Sequence, residues 1–202
     1  KRVYNTKAGH CGTLDPNATG LLIVAVGLAT KALPFMGLET KVYEATLKLG
    51  LETDTGDIWG TVVNEKPLIP ITKQNVETVL KSFLGKQTQR VPMVSAKKID
   101  GKKLYEYHRE NIAIETQYTD IEVYAIELVA ITKDSISFKA FVSNGTYIRT
   151  LCEAMAIRLN NIGTMTALVR SEVGKFKLED AYELEDITIN TPLQSVKDVI
   201  AL

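Results

Sequence analysis

A chain of 202 residues with 45% hydrophobic content has the size and composition of one globular domain with a sizeable core. No signal-peptide pattern is present and the longest apolar run, Leu21–Val26, is far too short to cross a bilayer, so a membrane role is not expected. Formal net charge is zero, which speaks mildly against a nucleic-acid partner, yet the charge is segregated. Residues 86–109 hold seven cations against two acids and residues 171–202 hold seven acids against three lysines, a pattern that suits a polymer-facing patch as well as an ordinary mixed surface.

In chain order, Leu21–Val26 reads as a strand buried on both faces. Val42–Gly50 alternates, with Tyr43, Ala45, Leu47 and Leu49 on one side and Glu44, Thr46 and Lys48 on the other, which predicts a half-buried strand. Thr53–Gly60, rich in Asp, Thr and Gly, reads as a loop. Gln74–Leu84 carries Val76, Val79, Leu80 and Phe83 at helical spacing, with Gly85 as a stop, and Lys102–Arg109 reads as a short helix. Two strands follow near Ile121–Ile131 and Ile136–Val142. Asn144-Gly145 then turns the chain, and Thr146 is placed to start a helix with Ile148, Leu151 or Cys152, Met155 and Leu159 on one stripe. Strands and helices intermingle without βαβ alternation, so the expected class is mixed α/β (α+β), with a largely antiparallel sheet flanked by helices.

Several chemistries are missing from this pattern. There is no dinucleotide or P-loop glycine motif, no H-E-x-x-H and no G-x-S-x-G elbow, and the two histidines, His10 and His108, are too few for a multi-histidine metal site. Neither metal nor cofactor is expected. Cys11 and Cys152 lack C-x-x-C spacing and are expected as free thiols in a reducing cytoplasm. What stands out is Gly9–Gly20, where glycines, threonines and Pro16 surround Asp15. Such a segment either holds one carboxylate in a structured loop, with glycines admitting close approach of a ligand, or is a plain Asp-Pro turn.

The string GHCGTLDPNATGLL over Gly9–Leu22 closely resembles the active-site motif of the TruB family of bacterial tRNA pseudouridine-55 synthases, whose usual form is near GHTGTLDPLATG. Further segments match in order. Lys41–Gly50 with Thr53–Asp57 resembles the family's tyrosine-bearing strand and loop. Val91–Lys98 with Gly101–Tyr107 resembles its P-x-x-S-A-x-K…G-x-x-x-Y region. Ser143–Thr150 resembles S-x-G-T-Y-I-R, and Thr166–Arg170 its L-x-R element. Cys11 stands in place of the usual Thr and Asn17 in place of Leu; neither change removes a catalytic group.

The resemblance implies the pseudouridine synthase fold and an isomerase that converts uridine 55 in the T loop of tRNA to pseudouridine. Asp15 would be its nucleophile. A nucleophilic carboxylate has to be kept ionised and held in one geometry, which an adjacent guanidinium does, and the resemblance nominates Arg149; from pattern alone that residue is a solvated helix arginine. Tyr43, by pattern a core aromatic, would stack on the flipped uracil and serve proton transfer, with Tyr147 and Leu168 as further pocket walls. His10 would contact the T loop, and Lys97, within the basic stretch Lys97–Lys103, would contact phosphate. The implied setting is a cytoplasmic monomer whose partner is the T stem-loop of tRNA. A binding module that grips RNA without turnover is disfavoured because Asp15, Tyr43 and Arg149 are all retained; a ribosomal RNA substrate is disfavoured by the T-loop motif. The family pattern also places a strand and a Lys-Pro-x-Gly segment before this point and an RNA-binding PUA domain after it. The expectation is therefore a catalytic domain over residues 1–186 without that first strand, followed by a tail, 187–202, in which the PUA domain is absent or truncated.

Overall fold

The computed structural model describes residues 3–110 and 112–200. Its first elements are the strands β1 (Ala8–Cys11), β2 (Thr19–Gly20) and β3 (Ile23–Val26). The long strand β4 (Thr40–Leu49) leads into a hairpin of β5 (Leu51–Thr53) and β6 (Val62–Glu65), then helix α1 (Lys73–Lys81) and strand β7 (Gly85–Arg90). A small hairpin, β8 (Lys98–Ile99) and β9 (Lys102–Lys103), runs into helix α2 (Leu104–Arg109). Strands β10 (Tyr118–Ile131) and β11 (Ser135–Ser143), helix α3 (Ile148–Arg158), strands β12 (Gly163–Val173) and β13 (Phe176–Lys177), and the short helix α4 (Val196–Val199) complete the order.

The main sheet runs β13-β12-β4-β11-β10-β7, antiparallel throughout, and β2 adds to β12 in parallel. This is the mixed, largely antiparallel sheet expected from the sequence. Its two larger helices, α1 and α3, contribute to one core with the same sheet face. The alternation in β4 decides which face that is: Tyr43, Ala45, Leu47 and Leu49 point into the core, as do Ile136, Phe138, Ala140 and Val142 of β11. Val76 and Leu80 of α1 and Leu151, Cys152 and Met155 of α3 close over them. Helix α1 starts at a capping box, in which Thr72 and Asn75 each accept from the other's backbone N–H. Both cysteines are free. Among the described residues no helix is long and apolar enough to cross a membrane.

Two sequence expectations change. Leu21–Val26 is not a strand buried on both faces: only Ile23–Val26 is extended, in a two-stranded hairpin with β1, and Val24 is 53% exposed. Short apolar runs do not distinguish a core strand from a half-covered hairpin. Thr146 does not cap α3. Its hydroxyl donates back to the Ser143 carbonyl and Tyr147 occupies the cap position, so the Asn144-Gly145 turn is braced rather than the helix start. Strand β12, for which the sequence pattern gives no expectation, carries no simple alternation because two register shifts, at Met165/Ala167 and Arg170/Glu172, interrupt its pairing with β4.

Phe138 is fully buried at the centre of this core. Truncation to alanine is expected to cost about 3–5 kcal/mol, through lost transfer energy and the cavity left behind. Chemical denaturation checks this: the midpoint should fall at an unchanged slope.

Candidate active site

The segment between β1 and β2 is a loop whose ends are fixed to β12. At one end Gly12 has φ +72°, the left-handed region that glycine tolerates, and its carbonyl accepts from Arg170 Nη2 at 2.9 Å. At the other end Arg170 Nε donates to the Leu21 carbonyl at 2.8 Å, and the Leu21 N–H donates to the Arg170 carbonyl at 2.8 Å. Gly20 lies so close to the Arg170 backbone that a Cβ there would collide with it. Arg170 itself is fully buried. One arginine thus clamps both ends of the loop, and within it Asp15 begins a turn closed by Ala18 N–H donating to the Asp15 carbonyl.

The Asp15 carboxylate meets Arg149, on the first turn of α3, in a two-pronged pair: Nε to Oδ2 at 2.8 Å and Nη2 to Oδ1 at 3.1 Å. Arg149 is only 3% exposed, and two of its other N–H groups reach the carbonyls of Thr55 and Val94, each at 2.8 Å. Asp57 Oδ2 lies 4.0 Å from Nε. The sequence offers a solvated helix arginine; the structure offers a buried hub joining three loops. Asp15 remains about one-third exposed, open to a cleft of about 550 Å³.

That cleft brings together Asp15, Tyr43, Lys97, Tyr147, Arg149 and Leu168, six of the seven residues singled out from the sequence. The seventh, His10, is exposed on β1 opposite Val24 and does not line it. Tyr43 reaches the cleft from β4 and Leu168 from β12, each 8% exposed. Tyr147 is held by its backbone, with its N–H donating to Gln89 Oε1 at 2.8 Å and its carbonyl accepting from Gln89 Nε2 at 3.0 Å. Lys97 donates to the Tyr118 carbonyl. Its basic neighbours are more engaged: Lys102 pairs with Glu110 and lies over the Tyr107 ring, and Lys103 and Arg109 lie over Tyr105.

Residues that the sequence reading does not assign to the site also line or support it: Asp57, Thr55, Gln89, Lys41 and Arg170. Arg170 could have been found, because a charged residue two positions after Leu168 in an otherwise apolar segment demands a buried partner. Gln89 and the carbonyl of Thr55 carry no such signal.

Burial pushes the Tyr43 hydroxyl above its ordinary value; the charge of Arg170 opposes this and that of Asp15 adds to it. Burial likewise raises Tyr147. The folded chain therefore keeps these protons beyond pH of about 10, where an unfolded chain releases them. The associated stability is complete below that pH and is lost as pH rises through the folded-state value. In an alkaline spectrophotometric titration Tyr43 and Tyr147 should therefore ionise late. Tyr43→Phe should delete a late component, and a curve that overlays the parent's would contradict the assignment.

The chain is similar to known proteins in both sequence and fold. The family model described as TruB family pseudouridylate synthase (N terminal domain) matches residues 1–148. A tRNA pseudouridine synthase B of Psychrobacter cryohalolentis is 45% identical over 90% of this chain and 50% of its own length. One from Caldicellulosiruptor saccharolyticus is 39% identical over 97% of this chain and 69% of its own. This chain thus spans about half of the first relative. Among solved structures, a chain of a Cbf5-Nop10-Gar1 complex aligns with a TM-score of 0.63 at 28% identity, over 85% of this chain and 41% of that one. A chain of an H/ACA RNP bound to a substrate RNA containing 2′-deoxyuridine aligns at 0.60 and 26%, over 85% and 40%. With the family model covering most of the sequence, and the motif residues gathered at one cleft, the chain belongs to the TruB family of pseudouridylate synthases.

Proposed function

We propose that this chain isomerises uridine 55 in the T loop of tRNA to pseudouridine, with Asp15 as nucleophile and the target base turned out of the RNA stack into the cleft. The observation that carries the proposal is the Asp15–Arg149 pair: a carboxylate fixed in two directions by a buried guanidinium, yet open to a pocket walled by aromatic and aliphatic side chains. The overall conversion breaks the N1–C1′ bond and forms a C5–C1′ bond; a proton leaves C5 and one is gained at N1. Atoms and electrons balance without an oxidant or a co-substrate.

A carboxylate nucleophile divides this change into two easier steps. Its aim matters more than its basicity, because a misplacement of the order of 1 Å costs about a hundredfold in rate. Arg149 supplies that aim. Tyr43, Tyr147 and Leu168 supply the apolar and aromatic surface that offsets the unstacking of the base. The Tyr43 hydroxyl, kept protonated by burial, is a donor available beside the reacting ring. The relatives named tRNA pseudouridine synthase B support tRNA as substrate.

Asp15→Asn tests the reading. The variant keeps side-chain size and can still bond Arg149, so the fold should persist. Turnover, read as tritium release from C5-labelled uridine in a tRNA transcript, should fall at least about a thousandfold, equivalent to about 4 kcal/mol of transition-state stabilisation. Affinity for the RNA should change little, because phosphate and stacking contacts supply most of it. A stable, RNA-binding variant that forms pseudouridine at a near-normal rate would refute the assignment.

A further inference from the structure

The cleft contains a second pair of charges that the proposed chemistry does not use. Lys41, on β4, is only 5% exposed, and Arg170 is fully buried. Both line the cleft, and both close on Gly12: a Cβ at that position would stand 3.3 Å from Lys41 Cε and 3.3 Å from Arg170 Nη1. Neither forms an ion pair among the described residues. Their partners are neutral. Lys41 Nζ donates to Asn144 Oδ1 at 2.6 Å and to the Leu38 carbonyl at 3.4 Å, while Arg170 bonds the carbonyls of Gly12 and Leu21.

Two buried like charges with no ion-pair partner among the described residues disfavour each other and the folded state. Burial first and the charge of Arg170 second hold the Lys41 ammonium below its ordinary value, and the charges of Cys11 and Glu39 offset this only in part. Asp15 does not relieve it, since both its oxygens are bonded to Arg149. Counting the charged cleft residues, one carboxylate faces Lys41, Lys97, Arg149 and Arg170, so the cavity as built lacks negative charge. An uncharged base cannot supply it; a phosphodiester can.

We propose that Lys41 and Arg170 form a phosphate subsite that takes one of the two phosphodiester groups flanking the target nucleotide, Lys41 by direct contact and Arg170 through its field. This rests on the reading of the cleft as an RNA-modifying site. It assigns to Arg170 a double duty, clamping the Asp15 loop and charging the same cavity.

The test is equilibrium binding of a T-arm stem-loop RNA, which needs no turnover. Lys41→Met keeps the length and apolar stem of the side chain, and Lys41→Arg keeps the charge; thermal melting verifies that each is folded. Lys41→Met should weaken binding about tenfold and lower the slope of log affinity against log salt by about 0.7–0.9, the loss of one phosphate contact. Lys41→Arg should retain most of both. With the parent protein, a neutral methylphosphonate at one of the two flanking positions should weaken binding similarly, and Lys41→Met should lose little more from it. Parental affinity and salt slope in a folded Lys41→Met protein would overturn the proposal. So would a parent protein indifferent to neutralisation at both positions, a measurement that holds even if the variants do not fold. Lys41-dependent binding with no pseudouridine formed by the parent would count against the proposed function and leave the phosphate subsite standing.

Discussion

Burying a guanidinium is costly unless every donor has a partner, and that constraint organises this molecule around Arg149. Its side chain is satisfied only when three separate loops present acceptors at once: the Asp15 carboxylate, the Thr55 carbonyl and the Val94 carbonyl. Remove one acceptor and a buried charge loses part of its compensation, so the loops are coupled through a group that belongs to none of them. The Asp15 carboxylate is held in place because it is one leg of this arrangement.

The sheet makes the arrangement possible. Strands β4 and β12 lie side by side, so Tyr43 and Leu168 arrive at the cleft on neighbouring ribbons, while α3, packed on the same face, brings Arg149 in from above. Arg170 stands opposite Tyr43 in the β4–β12 register. From there it reaches beneath the loop to bond Gly12 and Leu21. Two arginines therefore hold the Asp15 segment by different means, one through the carboxylate and the other through the backbone at both ends.

Much of this was legible in the sequence. The alternation of β4 and β11 and the stripes of α1 and α3 are periodic signals that burial imposes directly, and they appear where expected. The motif residues converge because a shared cleft is the reason they occur together. What was not legible has physical causes. Strand β12 is interrupted by two register shifts, which break the period of two that would reveal it. The burial of Arg149 depends on carbonyls far away in the chain, and a carbonyl has no residue type to betray it. His10 shares a segment with Asp15, but the antiparallel pairing of β1 with β3 sends it to the exposed hairpin. Lys41 looks like a strand-edge lysine until Arg170 is seen to share its space.

The ion pair at the centre of the site joins residues 134 positions apart, and the backbone clamp spans 158 and 149. Contacts of such range are entropically expensive to close and form late in folding. Because chains emerge from the ribosome N-terminus first, Asp15, the proposed nucleophile, is made early and waits. Until α3 and β12 have been synthesised and docked, Asp15 sits on an unanchored loop. A half-made chain would thus carry the Asp15 carboxylate without the guanidinium that fixes its direction. The aim of that carboxylate is set only when β12 and α3 from the second half of the chain close on the first.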